Sequence, residues 1–170
     1  MEVQRHHGRD RFALVLGVAC LFAGGCHQLK EPVSKLNVAN PATANQLLSG
    51  FSWIESDQWR WTARTFSAAL RPPETSETSG ATLSLHLYVP DSQIQCLGPM
   101  TLTASVEGEE LPPETFTQGG TYLYTREVPK RLLATSMLPV KFSFDKALPP
   151  ETADGRELAA IVTEIELQAN

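Results

Sequence analysis

Thr82-Leu-Ser-Leu-His-Leu-Tyr-Val89 and Met100-Thr-Leu-Thr-Ala-Ser-Val106 decide the fold. In both, apolar and polar side chains alternate with period two, which places every other residue on one face of an extended chain. Leu83, Leu85, Leu87 and Val89 make one apolar face, with Thr82, Ser84, His86 and Tyr88 on the other. Met100, Leu102, Ala104 and Val106 oppose Thr101, Thr103 and Ser105 in the same way. Each run predicts a strand buried on one side.

Outward from these runs the pattern repeats. Val140, Phe142 and Phe144 alternate with Lys141 and Ser143, and Ala159, Ile161, Thr163, Ile165 and Leu167 face away from Glu164 and Glu166. Thr121 to Val128 is rich in β-formers, with Tyr122 and Tyr124 sharing a face. Breakers fall between the runs, among them Pro72-Pro73, Pro90-Asp91, Gly98-Pro99, Pro112-Pro113, Gly119-Gly120 and Asp154-Gly155. Short strands punctuated every 8–12 residues or so predict an all-β domain, a single antiparallel β-sandwich, over residues 50–170. No segment carries a helical stripe beyond a turn near Lys130 to Ala134, and Glu74 to Gly80 reads as a loop.

The amino-terminal part reads differently. Arg5, Arg9 and Arg11 precede an uncharged stretch from Phe12 to Gly25 that ends in small residues. This is the pattern of a secretory signal, and it is shorter than the ~20 apolar residues a spanning helix needs. Leu21-Phe22-Ala23-Gly24-Gly25-Cys26 resembles a bacterial lipobox, with Ala23 where the pattern prefers Leu. The resemblance implies cleavage after residue 25, acylation of Cys26, and anchoring in the outer or plasma membrane through its lipid. Residues 26–49, polar and without a sustained period, then read as a tether, with a helical turn at Asn45 to Leu48.

Cysteine usage agrees with this. Cleavage discards Cys20 and acylation occupies Cys26, leaving Cys96 as a lone thiol with the character of a small buried hydrophobe. The alternative keeps the segment uncleaved and pairs Cys26 with Cys96 in an oxidising compartment. The formal charge is −5. A mildly acidic chain without a basic stripe excludes nucleic acid as a partner.

All three tryptophans fall within nine residues, at Trp53, Trp59 and Trp61. Aromatic faces stack on the apolar faces of sugar rings, so an outward pair at Trp59 and Trp61 makes a glycan platform, with Arg60 or Arg64 at its rim and His86 and Tyr88 as polar neighbours. Burial is the commoner fate of tryptophan. Parity gives one argument the other way, because an unbroken strand from Trp59 to Leu70 puts Phe66, Ala68 and Leu70 on the face opposite both tryptophans. A bulge near Ala63-Arg64 would instead return both sets to the core.

Other polar clusters read more plainly. His27 and His86 are too few for a zinc site, and the carboxylates around Asp154-Gly155-Arg156 do not match a calcium loop, so no metal or cofactor is expected. Asp154-Gly155 is a turn, with Arg156 pairing locally or holding a neighbouring loop. Glu55 with Asp57 and Glu109 with Glu110 are carboxylate pairs in expected loops. No phosphate loop, nucleophile elbow, His-Glu-x-x-His or Cys-x-x-Cys occurs.

Trp59-Arg60-Trp61, Phe66 to Pro73, Gly98-Pro99 and Gly155-Arg156-Glu157-Leu158 together resemble, across Gly50 to Leu167, an all-β domain of bacterial envelope proteins and of segments that accompany glycosyltransferases. The resemblance implies a jelly-roll-like sandwich and brings no assigned activity. The resulting expectation is a non-catalytic, membrane-anchored envelope lipoprotein that binds a glycan or another envelope component. The alternatives are a structural subunit of an envelope assembly and, third, an enzyme.

Overall fold

The computed structural model describes Met1, residues 31–152 and residues 154–170. Apart from Met1, the expected signal segment and the acylation candidate Cys26 lie outside the described residues. In chain order the strands are β1 (Lys35–Asn37), β2 (Leu47–Glu55), β3 (Trp59–Leu70), β4 (Ala81–Val89), β5 (Met100–Val106), β6 (Glu109–Glu110), β7 (Glu114–Phe116), β8 (Gly120–Val128), β9 (Leu138–Phe144) and β10 (Ile161–Ala169). Two short helices, α1 (Ser76–Ser79) and α2 (Asp91–Leu97), interrupt them, as do 3-10 turns at Pro41–Gln46, Lys130–Leu132 and Pro150–Thr152. The five alternating runs of the sequence are β4, β5, β8, β9 and β10.

These strands form a curled antiparallel sandwich, jelly-roll-like, in the order β6-β5-β9-β3-β10-β4-β8, with β1 beside β10, β2 beside β3 and β7 beside β5. Strand β3 turns the corner. Its first residues pair with β10 (Trp61 opposite Ile161, Arg60 opposite Val162), and its second half pairs with β9 from Thr65 to Leu70. Against β2, four residues of β3 (63–66) face the single residue Gly50, which lies between the pairs Phe51–Thr62 and Ser49–Ser67. Gly50 has a φ of 74°, and a Cβ there would come within 2.2 Å of the Thr65 carbonyl oxygen, so this crossing requires glycine.

The core lies inside the curl. Phe66 stacks on Phe142 with centroids 4.9 Å apart, and Phe51 meets Phe66 edge-on at 5.3 Å. Buried Tyr124 ties β8 to the opposite side of the sandwich. Its hydroxyl donates to the Pro112 carbonyl (3.0 Å) and accepts from the Ala104 N–H (3.3 Å). Burial of the phenol holds its pKa above the ordinary value, against the opposing effect of the Ala104 N–H.

Several expectations are corrected here. The tether ends well before residue 49, because Leu36 and Val38 are fully buried and β1 adds to β10. Gln46, only 2% exposed, clamps this segment: its carboxamide donates to the Val33 and Ala69 carbonyls (3.0 and 2.7 Å) and accepts from the Val33 N–H (2.9 Å). One inward residue on a three-residue strand, Leu36, with Val38 just beyond it, is too little to show a period. The helical turn expected at Asn45 to Leu48 forms earlier, at Pro41–Gln46, capped by the Asn40 side chain accepting from the Ala42 N–H. Glu74 to Gly80 contains the helical turn α1, and Cys96 is exposed on α2 instead of buried. In β10 a register shift between Val162 and Glu164 reverses the alternation, so Val162 is buried while Ile161 turns outward and Thr163 is exposed.

Candidate functional site

The β10 bulge and the corner in β3 build one feature on the outside of the sheet. Trp61 pairs with Ile161, Ile161 with Tyr88, and Tyr88 with Thr121, and directly paired residues of antiparallel strands share a face. The adjoining pairs, Val162 with Leu87 and Leu87 with Tyr122, point into the core. The Trp61 row therefore points to solvent. Thr62, Phe66, Ala68 and Leu70 are buried, so the alternation of β3 runs through the corner and leaves Trp59 and Trp61 on the outer side, half-buried and outside the core cluster. They meet edge-to-face at 6.3 Å.

Trp53 extends the row. Ser52 and Trp53 lie between the pairs Phe51–Thr62 and Ile54–Arg60, two residues opposite Trp61 alone, which makes a β-bulge. Trp53 is 59% exposed, yet its ring is held from one side by the Arg156 guanidinium, 4.1 Å from the ring centre. Arg156 is in turn fixed by four contacts. Nε donates to Asp154 Oδ1 (2.7 Å), Nη2 to Asp154 Oδ2, and Nη1 to Glu55 Oε1 (2.7 Å) and Ser52 Oγ (3.2 Å). The Asp154 hydrogen bonds, followed by the Glu55 one, hold the guanidinium pKa above its ordinary value, and the same pairing lowers that of Asp154. Arg60 braces the bulge from its other side, donating to the Ser52 carbonyl (2.6 Å) and to Val38 (2.7 Å).

From Trp53 across β3 and β10 to Tyr88, three strand spacings of about 4.8 Å give an apolar stripe roughly 14 Å long. Tyr88 is 39% exposed, and Leu123, on the neighbouring strand β8 two residue pairs along, is 53% exposed. His86 shares this outer face, opposite Glu164 and Leu123. Its Nε2 lies 3.5 Å from Glu164, which also pairs with Lys35 at 2.8 Å. The side is thus apolar at Trp53, Trp61, Ile161 and Tyr88 and polar along Lys35, Glu164 and His86. Such a surface can stack planar or ring-shaped ligands and hydrogen-bond at its border.

Of the residues singled out in the sequence, the structure brings Trp59, Trp61, Tyr88 and His86 to one face. Arg64 is exposed but has the parity of the core residues of β3, and its recorded hydrogen bond is from its backbone N–H to Glu157 (3.0 Å). Trp53, Ile161 and Arg156 were missed as site residues. Only Trp53 carried a signal, its proximity in sequence to the other two tryptophans. Among the described residues no group of three or more His, Cys, Asp or Glu is placed to hold a metal, and no helix is long and apolar enough to cross a membrane.

The fold and face define a β-sandwich with an aromatic stripe on one outer surface. Comparison with protein-family models and with curated proteins gives no match. Solved structures similar in architecture include the carbohydrate-binding module CBM36 in complex with calcium and xylotriose (13% identity, 80% of this chain and 100% of that one, TM-score 0.45). Another is TmCBM27, a carbohydrate-binding module studied for mannan recognition (10% identity, 82% and 97% coverage, TM-score 0.47). A third is latent PorU from Porphyromonas gingivalis (11% identity, TM-score 0.46), where the match covers 62% of this chain and 10% of that one. The likeness is one of strand arrangement and bears on no residue of the face.

Proposed function

We propose that this chain is an exported bacterial envelope lipoprotein, acylated at Cys26, whose sandwich binds a glycan along the row Trp53, Trp61, Ile161 and Tyr88. One observation carries the reading: aromatic side chains from three strands, which a small domain would ordinarily bury, line up on a solvent-facing surface, and the most exposed of them is held in place by an arginine fixed to two carboxylates. Trp59 widens the stripe, and His86 supplies a hydrogen-bonding group at its border. Arg64 drops out of the platform by its parity.

A glycan array probed with the wild-type domain and with Trp61→Ala tests the binding half. A signal lost in the variant while its melting temperature holds supports the reading, and no wild-type signal on any glycan defeats it. Palmitate labelling of wild type, Cys26→Ser and Cys20→Ser tests the anchor. Labelling must vanish in Cys26→Ser alone. The second reading, a subunit of an envelope assembly, is favoured by β8, which ends the strand order with Leu123 exposed near its middle. Self-association abolished by Leu123→Lys, with a blank array, would put that reading first.

A further inference from the structure

The outer surface of the sheet changes character past the corner in β3. Ser67 stands six residues on from Trp61, and the residues paired directly across the strands from it share its face. Ser49, Ser67, Lys141, Ser105 and Glu110 thus lie in one line across β2, β3, β9, β5 and β6. Beside it runs a second line of Thr65, Ser143 and Thr103. The residues next to them in sequence, among them Phe66, Phe142 and Ala104, are fully buried, so both lines point to solvent.

Walls make this surface a groove of about 660 Å³. On one side stands Leu48, 52% exposed, on the strand that Gly50 lets cross β3. On the other stands the two-residue turn from β5 to β6, where Glu107 and Gly108 have φ of 50° and 83°, as a tight hairpin requires. Among the described residues the lining holds no aromatic ring, so the groove binds by hydrogen bonds and charge. Ser49 Oγ and Ser67 Oγ are 2.7 Å apart, and Thr65 Oγ1 and Ser143 Oγ 3.4 Å. In each pair one hydroxyl donates to the other, whose own proton is left for a ligand.

Charge narrows what that ligand is. Lys141 stands in mid-line between Ser67 and Ser105, and among the described residues it makes no ion pair, nor do Glu107 and Glu110 at the rim. A neutral chain would use neither sign, and a polyanion would be repelled at the two glutamates. Lys141 and Glu110 are two strand spacings apart, about 10 Å. A peptide in the polyproline II conformation brings residues i and i+3 to one side about 9.3 Å apart, whereas a β-strand repeats a side every 6.6 Å or so. Its carbonyls make no internal hydrogen bonds and are free to accept from the serine and threonine hydroxyls.

We propose that this groove is a second binding site, for a polyproline II peptide with an acidic and a basic residue three positions apart, the acidic one on Lys141 and the basic one on Glu110. The site goes beyond the glycan reading and depends neither on acylation nor on the aromatic row.

The isotope-labelled full chain in detergent micelles is titrated with the capped peptides Pro-Glu-Pro-Pro-Lys-Pro and Pro-Lys-Pro-Pro-Glu-Pro, with their Gln-for-Glu counterparts, and with trigalacturonate. One of the two charged orders should shift the amides of Ser67, Ser105, Lys141 and Glu110 and leave those of Trp61 and Tyr88 in place. Lys141→Gln, at an exposed position, should weaken that binding several-fold with an unchanged melting temperature, and the Gln-for-Glu peptide should lose as much on the wild type. No shift at millimolar peptide, or binding indifferent to Lys141→Gln, overturns the proposal. Trigalacturonate moving the same amides more strongly than either peptide overturns it in favour of an acidic glycan. The Trp61→Ala array is read separately, so the two sites fail independently.

Discussion

Two sets of aromatic residues sit on opposite sides of one corner-turning strand, and they differ in what holds them. On the inner side Phe66, Phe142 and Phe144 are enclosed by one another and by the rest of the core, at 1% exposure or less. On the outer side Trp53, Trp59 and Trp61 touch solvent and are held by an arginine, by a bulge and by each other's edges. The inner set obtains its energy from leaving water, and truncating one leaves a cavity. The outer set leaves apolar surface in contact with water, a cost that binding a ring-shaped ligand would remove. The difference lies in parity along β3 and not in residue type.

The comparison can be broken most directly at its inner side. Phe66→Ala should cost about 3–5 kcal/mol in chemical denaturation, because it removes a fully enclosed ring touched by Phe51, Phe142 and Phe144. A loss below about 1 kcal/mol would mean that the inner stack is not the centre of the core. Gln46→Leu comes next, at about 2 kcal/mol or more, since it removes three hydrogen bonds and leaves the Val33 N–H without its partner. Its effect should appear first as amide exchange at Val33 to Val38.

On the outer side the expected signs separate. Trp53→Ala should change folding stability by less than about 0.5 kcal/mol, as expected of an exposed site, while weakening glycan binding by about 2 kcal/mol. Equal effects on both would return Trp53 to a structural role. Arg156→Lys should reduce binding in the same direction with little change in stability, because an ammonium cannot keep the bidentate contact with Asp154 while lying flat on the Trp53 ring.

The smallest expected effect is at the seam between the two sides of the sandwich. Tyr124 has a pKa raised in the fold, so its contribution is complete below about pH 10 and declines as the pH climbs from there toward the raised value. An alkaline denaturation series should therefore show a loss of stability beginning near pH 10. Tyr124→Phe should remove that step at a cost of about 1 kcal/mol for the hydroxyl's hydrogen bonds. An unchanged alkaline limb in the variant would assign the step to another group.

The inner half of this picture was legible in the sequence and the outer half only partly so. Leu83 to Val89 and Met100 to Val106 announced their strands because each is buried on one face over its whole length, the condition under which period two is visible. The parity of Trp59 and Trp61 against Phe66 was also readable, and the corner in β3 preserved it. Ile161 was not, since one extra residue at Thr163 inverts everything on one side of it and leaves no trace in composition. Arg156 presented itself as a turn residue, and it does bind Asp154 locally. Its grip on Glu55 and Trp53 joins positions a hundred residues apart, which no local pattern encodes.

Strand β1 has a mechanical consequence. It enters at the end where a lipid anchor would hold the chain, and it runs beside β10, the strand that carries Ile161 of the row. A pull between anchor and ligand would act along the axes of these two strands, so the rungs from Lys35–Glu166 to Asn37–Glu164 and the Gln46 clamp would share the load in parallel instead of peeling one at a time. Three rungs loaded in shear, latched by one amide, make a short strand a better mooring than its length suggests.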